Sequence, residues 1–297
     1  MKESLPVLIL GFNRPDLLEG LFKILRHQRP KKVFVAIDGP RPNFTCDVDR
    51  VKQCQESIEV IDWPSETKTL FRDTNMGCGR AVYEAISWFF EHVDEGIILE
   101  DDIRPDPAFF AYSSELINRY RKEPTIISIS GANTVPPSYQ TRNNSYRYSR
   151  IPQVWGWATW RDRWSGYRFD IKDWGNGWRL QDRWKAMGSS VETFAAWSRI
   201  FNRVGRRHID TWDFQLVYQA MRQQRLTTIP RYSLTDNVGL NESGTHTSKV
   251  RTSPLVFGPA ISPDWPTGIP TADTRADKWM LKNAYAFSVK TRLSNWR

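Results

Sequence analysis

The sequence has little of what marks several large protein classes. Cysteine occurs three times, at Cys46, Cys54 and Cys78, without metal-ligand spacing. A disulfide framework is therefore not expected, and a reducing compartment fits. No apolar run approaches the length of a membrane span. Lys2 and Glu3 lead into a short apolar strand, which does not read as a signal peptide. The glycosylation sequons at Asn43, Asn143 and Asn241 then read as chance matches. There is no zinc finger, no RNA-binding aromatic motif and no basic helix of the nucleic-acid-reading kind, so nucleic acid is not an expected partner. No internal repeat is present.

What remains is ordinary in bulk and unusual in detail. A chain of 297 residues, 40% hydrophobic and 25% charged, fits a soluble globular protein of one large α/β domain or two small ones. The net charge of +9 favours anionic partners such as nucleotides, phosphorylated lipids or an acidic membrane face. Tryptophan is high, at 14. Exposed indole rings suit stacking on sugars, and buried ones suit the core; composition leaves both open.

The most informative stretch is Gly96-Ile-Ile-Leu-Glu100-Asp101-Asp102. Ile97, Ile98 and Leu99 read as a strand apolar on both faces, central in a parallel sheet. Three carboxylates follow at its carboxyl end, the edge where open α/β sheets bind ligands. Adjacent carboxylates repel one another. A divalent cation relieves that repulsion, and hard oxygen donors suit Mg²⁺ or Mn²⁺. The alternative is a solvated acidic turn.

Three earlier runs have the same form. Leu5–Leu10 ends at Gly11-Phe-Asn13-Arg14, Val33–Ile37 at Asp38-Gly39, and Thr67–Phe71 at Asn75-Met-Gly77-Cys-Gly79-Arg80. Helical periodicity separates them, with Leu17, Leu18, Leu21, Phe22 and Leu25 in the first helix and Ala81, Val82, Ala85, Ile86 and Phe89 in the third. Strand and helix in alternation predict a mostly parallel sheet with right-handed crossovers. All four polar ends then share one edge and line a nucleotide-sized crevice. Further on, the pattern predicts a helix over 107–121, a strand over 125–130 and a long loop over 131–150. Helices follow at 179–188, 191–202 and up to Met221. Short strands are expected at 226–229 and 232–234, and a last helix near 277–290.

Asp38-Gly39, then Asn75-Met-Gly77, then Ile98-Leu-Glu100-Asp101-Asp102 with Phe109-Phe110 beyond, resembles the GT-A fold glycosyltransferases. The likeness is to the N-acetylglucosaminyltransferase I type and to bacterial glycosyltransferase family 2 proteins, over residues 5–246. It implies a catalytic domain over 1–250, with a nucleotide-binding half to 130 and an acceptor half after it, and a C-terminal extension over 251–297. It implies that Asp38 meets the base, that Arg14 and Asn75 lie beside base or ribose, and that Arg80 touches a phosphate. Glu100 and Asp101 would face the donor, Asp101 at the ribose. Asp102 would ligate Mn²⁺ or Mg²⁺ on the diphosphate. Trp157, in Trp155-Gly-Trp157, resembles the segment at the sugar and acceptor; a plug beneath the loop is the other reading. Asp213 resembles the catalytic base of inverting members. Position 214 departs from the pattern, being Phe214 where the family has a second acid, so Asp210 stays open as the base and a helix cap stays open for Asp213. His246 is either a late metal or diphosphate ligand or a structural histidine, and the loop 237–250 around it resembles a lid.

The activity so implied is a metal-dependent inverting transfer from a nucleotide-sugar donor, UDP-linked by preference. The acceptor would be a saccharide or lipid-linked saccharide in bacterial surface polysaccharide or lipopolysaccharide assembly. The expected location is cytoplasmic, with peripheral contact to an anionic inner-membrane face. A nucleotidyltransferase and a non-catalytic saccharide-binding protein are the rival readings.

Overall fold

Four continuous apolar runs become four parallel strands, β1 (Val7–Gly11), β2 (Lys32–Ile37), β3 (Glu66–Phe71) and β4 (Glu95–Glu100). The computed structural model describes residues 4–141, 144–240, 255–258 and 264–285. Between the strands run α1 (Pro15–Gln28), α2 (Thr45–Glu56) and α3 (Cys78–His92). Pro15 opens α1 because its fixed φ suits a first turn that needs no N–H donor. Leu18, Leu21, Phe22 and Leu25 then recur on one face and are fully buried. Each such side chain contributes roughly 1.5–3 kcal/mol on leaving water.

The second half is β5 (Ile103–Pro105), α4 (Pro107–Tyr120), β6 (Ile126–Ser130), β7 (Tyr146–Ser149), β8 (Trp157–Trp160), α5 (Arg161–Trp164), α6 (Leu180–Ala186), α7 (Val191–Gly205), α8 (Asp213–Arg222), β9 (Leu226–Pro230), β10 (Thr235–Asn237) and α9 (Thr274–Met280). Asp106 starts α4 by accepting from the Ala108 N–H at 2.8 Å.

The result is a mixed α/β architecture. One large, mostly parallel sheet of eight strands, in the order β3-β2-β1-β4-β8-β6-β9-β7, is flanked by helices. Only β8 and β7 run against the rest. β5 and β10 form a small antiparallel ribbon beyond the end of β4. One sheet face, with Val7, Ile9, Val35, Ile97 and Leu99, packs under α1, α2 and α4. The other, with Leu8, Phe34, Ile98 and Trp157, packs under α3 and α8. A third apolar cluster joins α6, α7, α8 and α9.

Several expectations change here. β4 is parallel to β1 on one side but antiparallel to β8 on the other. The stretch taken as loop over 131–150 contains β7, whose four residues are all buried. The last short strand lies at Thr235–Asn237 rather than 232–234, because Ile103–Pro105 supplies its ladder there. The described part of the C-terminal segment packs on the body. Asp277 of α9 is buried and accepts from Ser149 Oγ at 2.6 Å and from Arg147 Nη1 at 3.3 Å. Among the described residues no helix is long and apolar enough to cross a membrane.

Candidate active site

Strand order reverses at β1: the chain steps outward to β2 and β3, then returns to place β4 on the other side of β1. The carboxyl ends of β1 and β4 therefore flank a topological switch point, where such sheets open a crevice. β1 delivers Asn13 and Arg14 there; β4 delivers Glu100, Asp101 and Asp102.

Arg14 holds the two aspartates together. Its Nη2 and Nε donate to the two oxygens of Asp101, the latter at 3.2 Å, and its Nη1 donates to Asp102 Oδ2 at 3.2 Å. Burial opposes the guanidinium charge, but Asp101 and Asp102 outweigh it and keep Arg14 firmly protonated. One guanidinium does not compensate three carboxylates. Burial first, then Asp102 and Asp101, pushes Glu100 up to about 8. Burial pushes Asp101 up to about 6 against the pull of Arg14. Arg104, which sequence reading did not single out, gives its N–H groups to carbonyls, at 2.8 Å to Asp101 and 2.8 Å to Leu17. It ties α1 to the start of β5 and adds a favourable field at Asp101 and Asp102.

The β2 and β3 ends form one unit. Asp38 accepts from Asn75 Nδ2 at 2.9 Å, from the Met76 N–H at 3.1 Å and from the Gly39 N–H at 3.0 Å. Asn75 in turn accepts from the Gly77 N–H at 3.1 Å. Asp38 thus anchors the loop that leads into α3, and burial raises its carboxyl in spite of the Met76 and Gly39 donors. Arg80 sits in the first turn of α3, ion-paired with Glu84 and 5.9 Å from the Phe169 ring. Arg72, also unforeseen, reaches the same Glu84 at 3.5 Å and adds a favourable field at Asp38.

α8 brings a further acid to this edge. Asp213 is its first residue, accepts from Thr211 Oγ1, and is near enough to Glu100 to add to that carboxyl's repulsion. Asp210 is engaged elsewhere: its Oδ1 accepts the Gly79 N–H at 2.8 Å, at the start of α3. That places Asp210 as a helix-terminus acceptor. Gly77, at φ 80°, makes the turn into α3 in a backbone region that glycine favours.

Two further residues bear on the crevice differently. Trp157 is 1% exposed, stacked on Trp212 at 5.8 Å, and sits in the core under α3 and α8. Of its two readings, that burial matches the plug. The turn after β10 closes on Asp102: the Val238 N–H donates to the Asp102 carbonyl at 3.0 Å, and a Cβ at Gly239 would lie 2.2 Å from Asp102 Oδ2. Glycine is required where the backbone comes that close. His246 lies outside the described residues.

Among the described residues no three His, Cys, Asp or Glu side chains converge as a ready metal cage. The donor set nevertheless fits a divalent cation. It is all oxygen, its three carboxylates outnumber the Arg14 and Arg104 guanidiniums that act on them, and Mg²⁺-type sites commonly take only one or two carboxylates beside substrate phosphates.

No family model matches the chain, and no curated protein does. Among solved structures, the crystal structure of HddC from Yersinia pseudotuberculosis is similar at a TM-score of 0.30 and 11% identity, over 53% of this chain and 77% of that one. A likeness of that size carries no argument about what this chain does.

Proposed function

We propose that this chain is a GT-A glycosyltransferase, metal-dependent and inverting, that moves a sugar from a nucleoside-diphosphate sugar, UDP-linked by preference, to a hydroxyl of a saccharide or lipid-linked saccharide. Bacterial surface polysaccharide or lipopolysaccharide assembly is the setting that suits it. The observation that carries the reading is the meeting of Arg14, the Glu100–Asp102 triplet and Asp213 at the β1/β4 switch point.

Each residue then has a task. Asp38 and Asn75 hold the β2 and β3 ends as a fixed wall for the base and ribose. Arg14 orients Asp101 and Asp102. Asp102, with Glu100 beside it, would hold Mn²⁺ or Mg²⁺, which supplies neutralisation of the charge developing on the leaving diphosphate. Asp213 accepts the proton of the acceptor hydroxyl as its oxygen bonds to the anomeric carbon. The bond from that carbon to the diphosphate breaks on the opposite face, and its electron pair leaves with the diphosphate. No covalent enzyme intermediate is needed.

A second reading, a saccharide-binding protein without turnover, draws on the occupation of both aspartates by Arg14. One experiment separates them: calorimetric titration with UDP, GDP and CMP, each with and without Mn²⁺. The proposal expects Mn²⁺-dependent UDP binding that Asp102→Asn abolishes. A metal-dependent response to GDP alone keeps the mechanism and changes the donor. Saccharide binding with no nucleotide response sinks the transferase reading.

A further inference from the structure

The net charge of +9 looks dispersed along the sequence, but the fold gathers much of it. Residues 171–208 carry eight Lys and Arg against three Asp and Glu. This stretch builds α6 and α7. Both bury their inner faces in the apolar cluster that includes α8, so their outer faces point away from the body together.

Those outer faces are unusual. On α6, Leu180 and Trp184 lie one turn apart and are 62% and 36% exposed. On α7, Val191 is 74% exposed. The Trp184 ring meets Phe194 at 5.7 Å, which makes the two helices one continuous surface. Beside the apolar tips stand Lys185 on α6, Arg199 on α7 and Arg206 just past the end of α7, all exposed and without an ion pair among the described residues. At helical spacing Glu192, Arg199 and Arg206 share one stripe, with Val191 about 80° round from Arg199.

We propose that the outer face of α6 and α7 is a docking surface for an anionic lipid bilayer. A protein partner of obligate type would meet an apolar patch with charge depleted from its centre. Here a few apolar tips stand beside exposed cations. Such an arrangement lets Leu180, Trp184 and Val191 enter the acyl boundary while Lys185, Arg199 and Arg206 stay among the headgroup phosphates. The inference does not rest on the proposed transferase activity, since binding is read without turnover.

The test is co-sedimentation of the full chain with phosphatidylcholine vesicles, and with vesicles containing about one third phosphatidylglycerol, at low salt and at about 1 M salt, where screening reaches down to about 3 Å. Binding is expected to the anionic vesicles alone, weakened by salt. The exposed set Leu180→Ser/Trp184→Ser/Val191→Ser and the charge set Arg199→Glu/Arg206→Glu should each lower the partition coefficient about ten-fold or more. Lys23→Glu/Lys52→Glu makes the same charge change on α1 and α2, at side chains 67% and 72% exposed, and should lower it less than about three-fold. No binding to anionic vesicles overturns the proposal. So does an equal loss in the Lys23/Lys52 control. If the apolar set binds as wild type and duplex DNA competes fully, the surface is a general polyanion site and the bilayer assignment is wrong.

Discussion

Two carboxylate centres lie at the same edge of the sheet, and consecutive residues of one loop serve them. Asn13 donates to Asp47 at 2.7 Å, while Arg14 donates to Asp101 and Asp102. Asp47 is wholly buried, yet Arg41 meets it with Nε at 2.6 Å and Nη2 at 3.0 Å. Arg41 and Asn13 hold that carboxyl down, at about 2. In the triplet Arg14 hydrogen-bonds two of three carboxylates, and burial pushes Glu100 and Asp101 up. Burial is the first cause of the raised carboxyls at Glu100 and Asp101, whereas at Asp47 the Arg41 and Asn13 donors outweigh it. Asp47 is a finished structural centre that fastens α2 to the β1 and β2 ends. The triplet keeps carboxyls pushed up by burial and mutual repulsion.

The largest effect on this contrast should come from Arg14→Ala. It removes the guanidinium that hydrogen-bonds Asp101 and Asp102, and breaking a largely buried pair costs on the order of 3 kcal/mol. Urea denaturation of metal-free protein at pH 8 measures it. A loss under about 1 kcal/mol, typical of an exposed pair, would make the triplet a solvated turn. Asp47→Asn comes next, with roughly 2 kcal/mol lost at pH 7, because hydrogen bonds to an ionised group are the strong ones. Its pH dependence has a definite sign. The folded carboxyl is held below its unfolded value, so wild type binds fewer protons folded than unfolded. The stability it contributes is present above the unfolded value near 4 and drains away as pH falls toward about 2. The difference between wild type and Asp47→Asn should therefore shrink across that window and stay constant from pH 5 to 7.

The contrast was only half legible in the sequence. The runs at β1, β2, β3 and β4 could be read because buried parallel strands are apolar without interruption, and their polar ends announced the crevice. The links within it could not. Arg14 and Asp101 are 87 residues apart, and Gly79 and Asp210 are 131 apart, separations that no local pattern encodes. Arg41 read as an ordinary polar loop residue and Asp47 as the start of the helix expected over 47–57, since neither apolar period nor motif marks a buried ion pair. β8 was missed for another reason. Trp157-Ala-Thr-Trp160 is short and aromatic, so it read as site chemistry, whereas its pairing with both β4 and β6 makes it a central strand. β7 was hidden by turn-forming neighbours, although Tyr146 and Tyr148 both reach the hydroxyl of Tyr120 in the core.

The smallest effect sharpens the contrast most, because it tells a finished centre from one that still takes a cation. Glu100 and Asp101 are raised above their unfolded values, so between pH 5 and 8 the metal-free folded protein holds protons that the unfolded chain has lost. By linkage, that part of its stability must fall as pH rises through this window, the reverse of the Asp47 contribution at lower pH. A cation competes with those same protons. Mn²⁺ should therefore stabilise more at pH 8 than at pH 6. At about ten times its dissociation constant the gain is about 1.4 kcal/mol, a shift in Tm of roughly 3–5 °C. Thermal melts at the two pH values, with Mn²⁺ and with chelator, measure it. Gly239→Ala gives the internal control. Its new Cβ, 2.2 Å from Asp102 Oδ2, should displace that carboxylate and remove most of the Mn²⁺ gain, while the low-pH loss tied to Asp47 stays as it was. A Mn²⁺ gain equal at both pH values, or unchanged in Gly239→Ala, would mean that the cation binds elsewhere and that the triplet, like Asp47, is already complete.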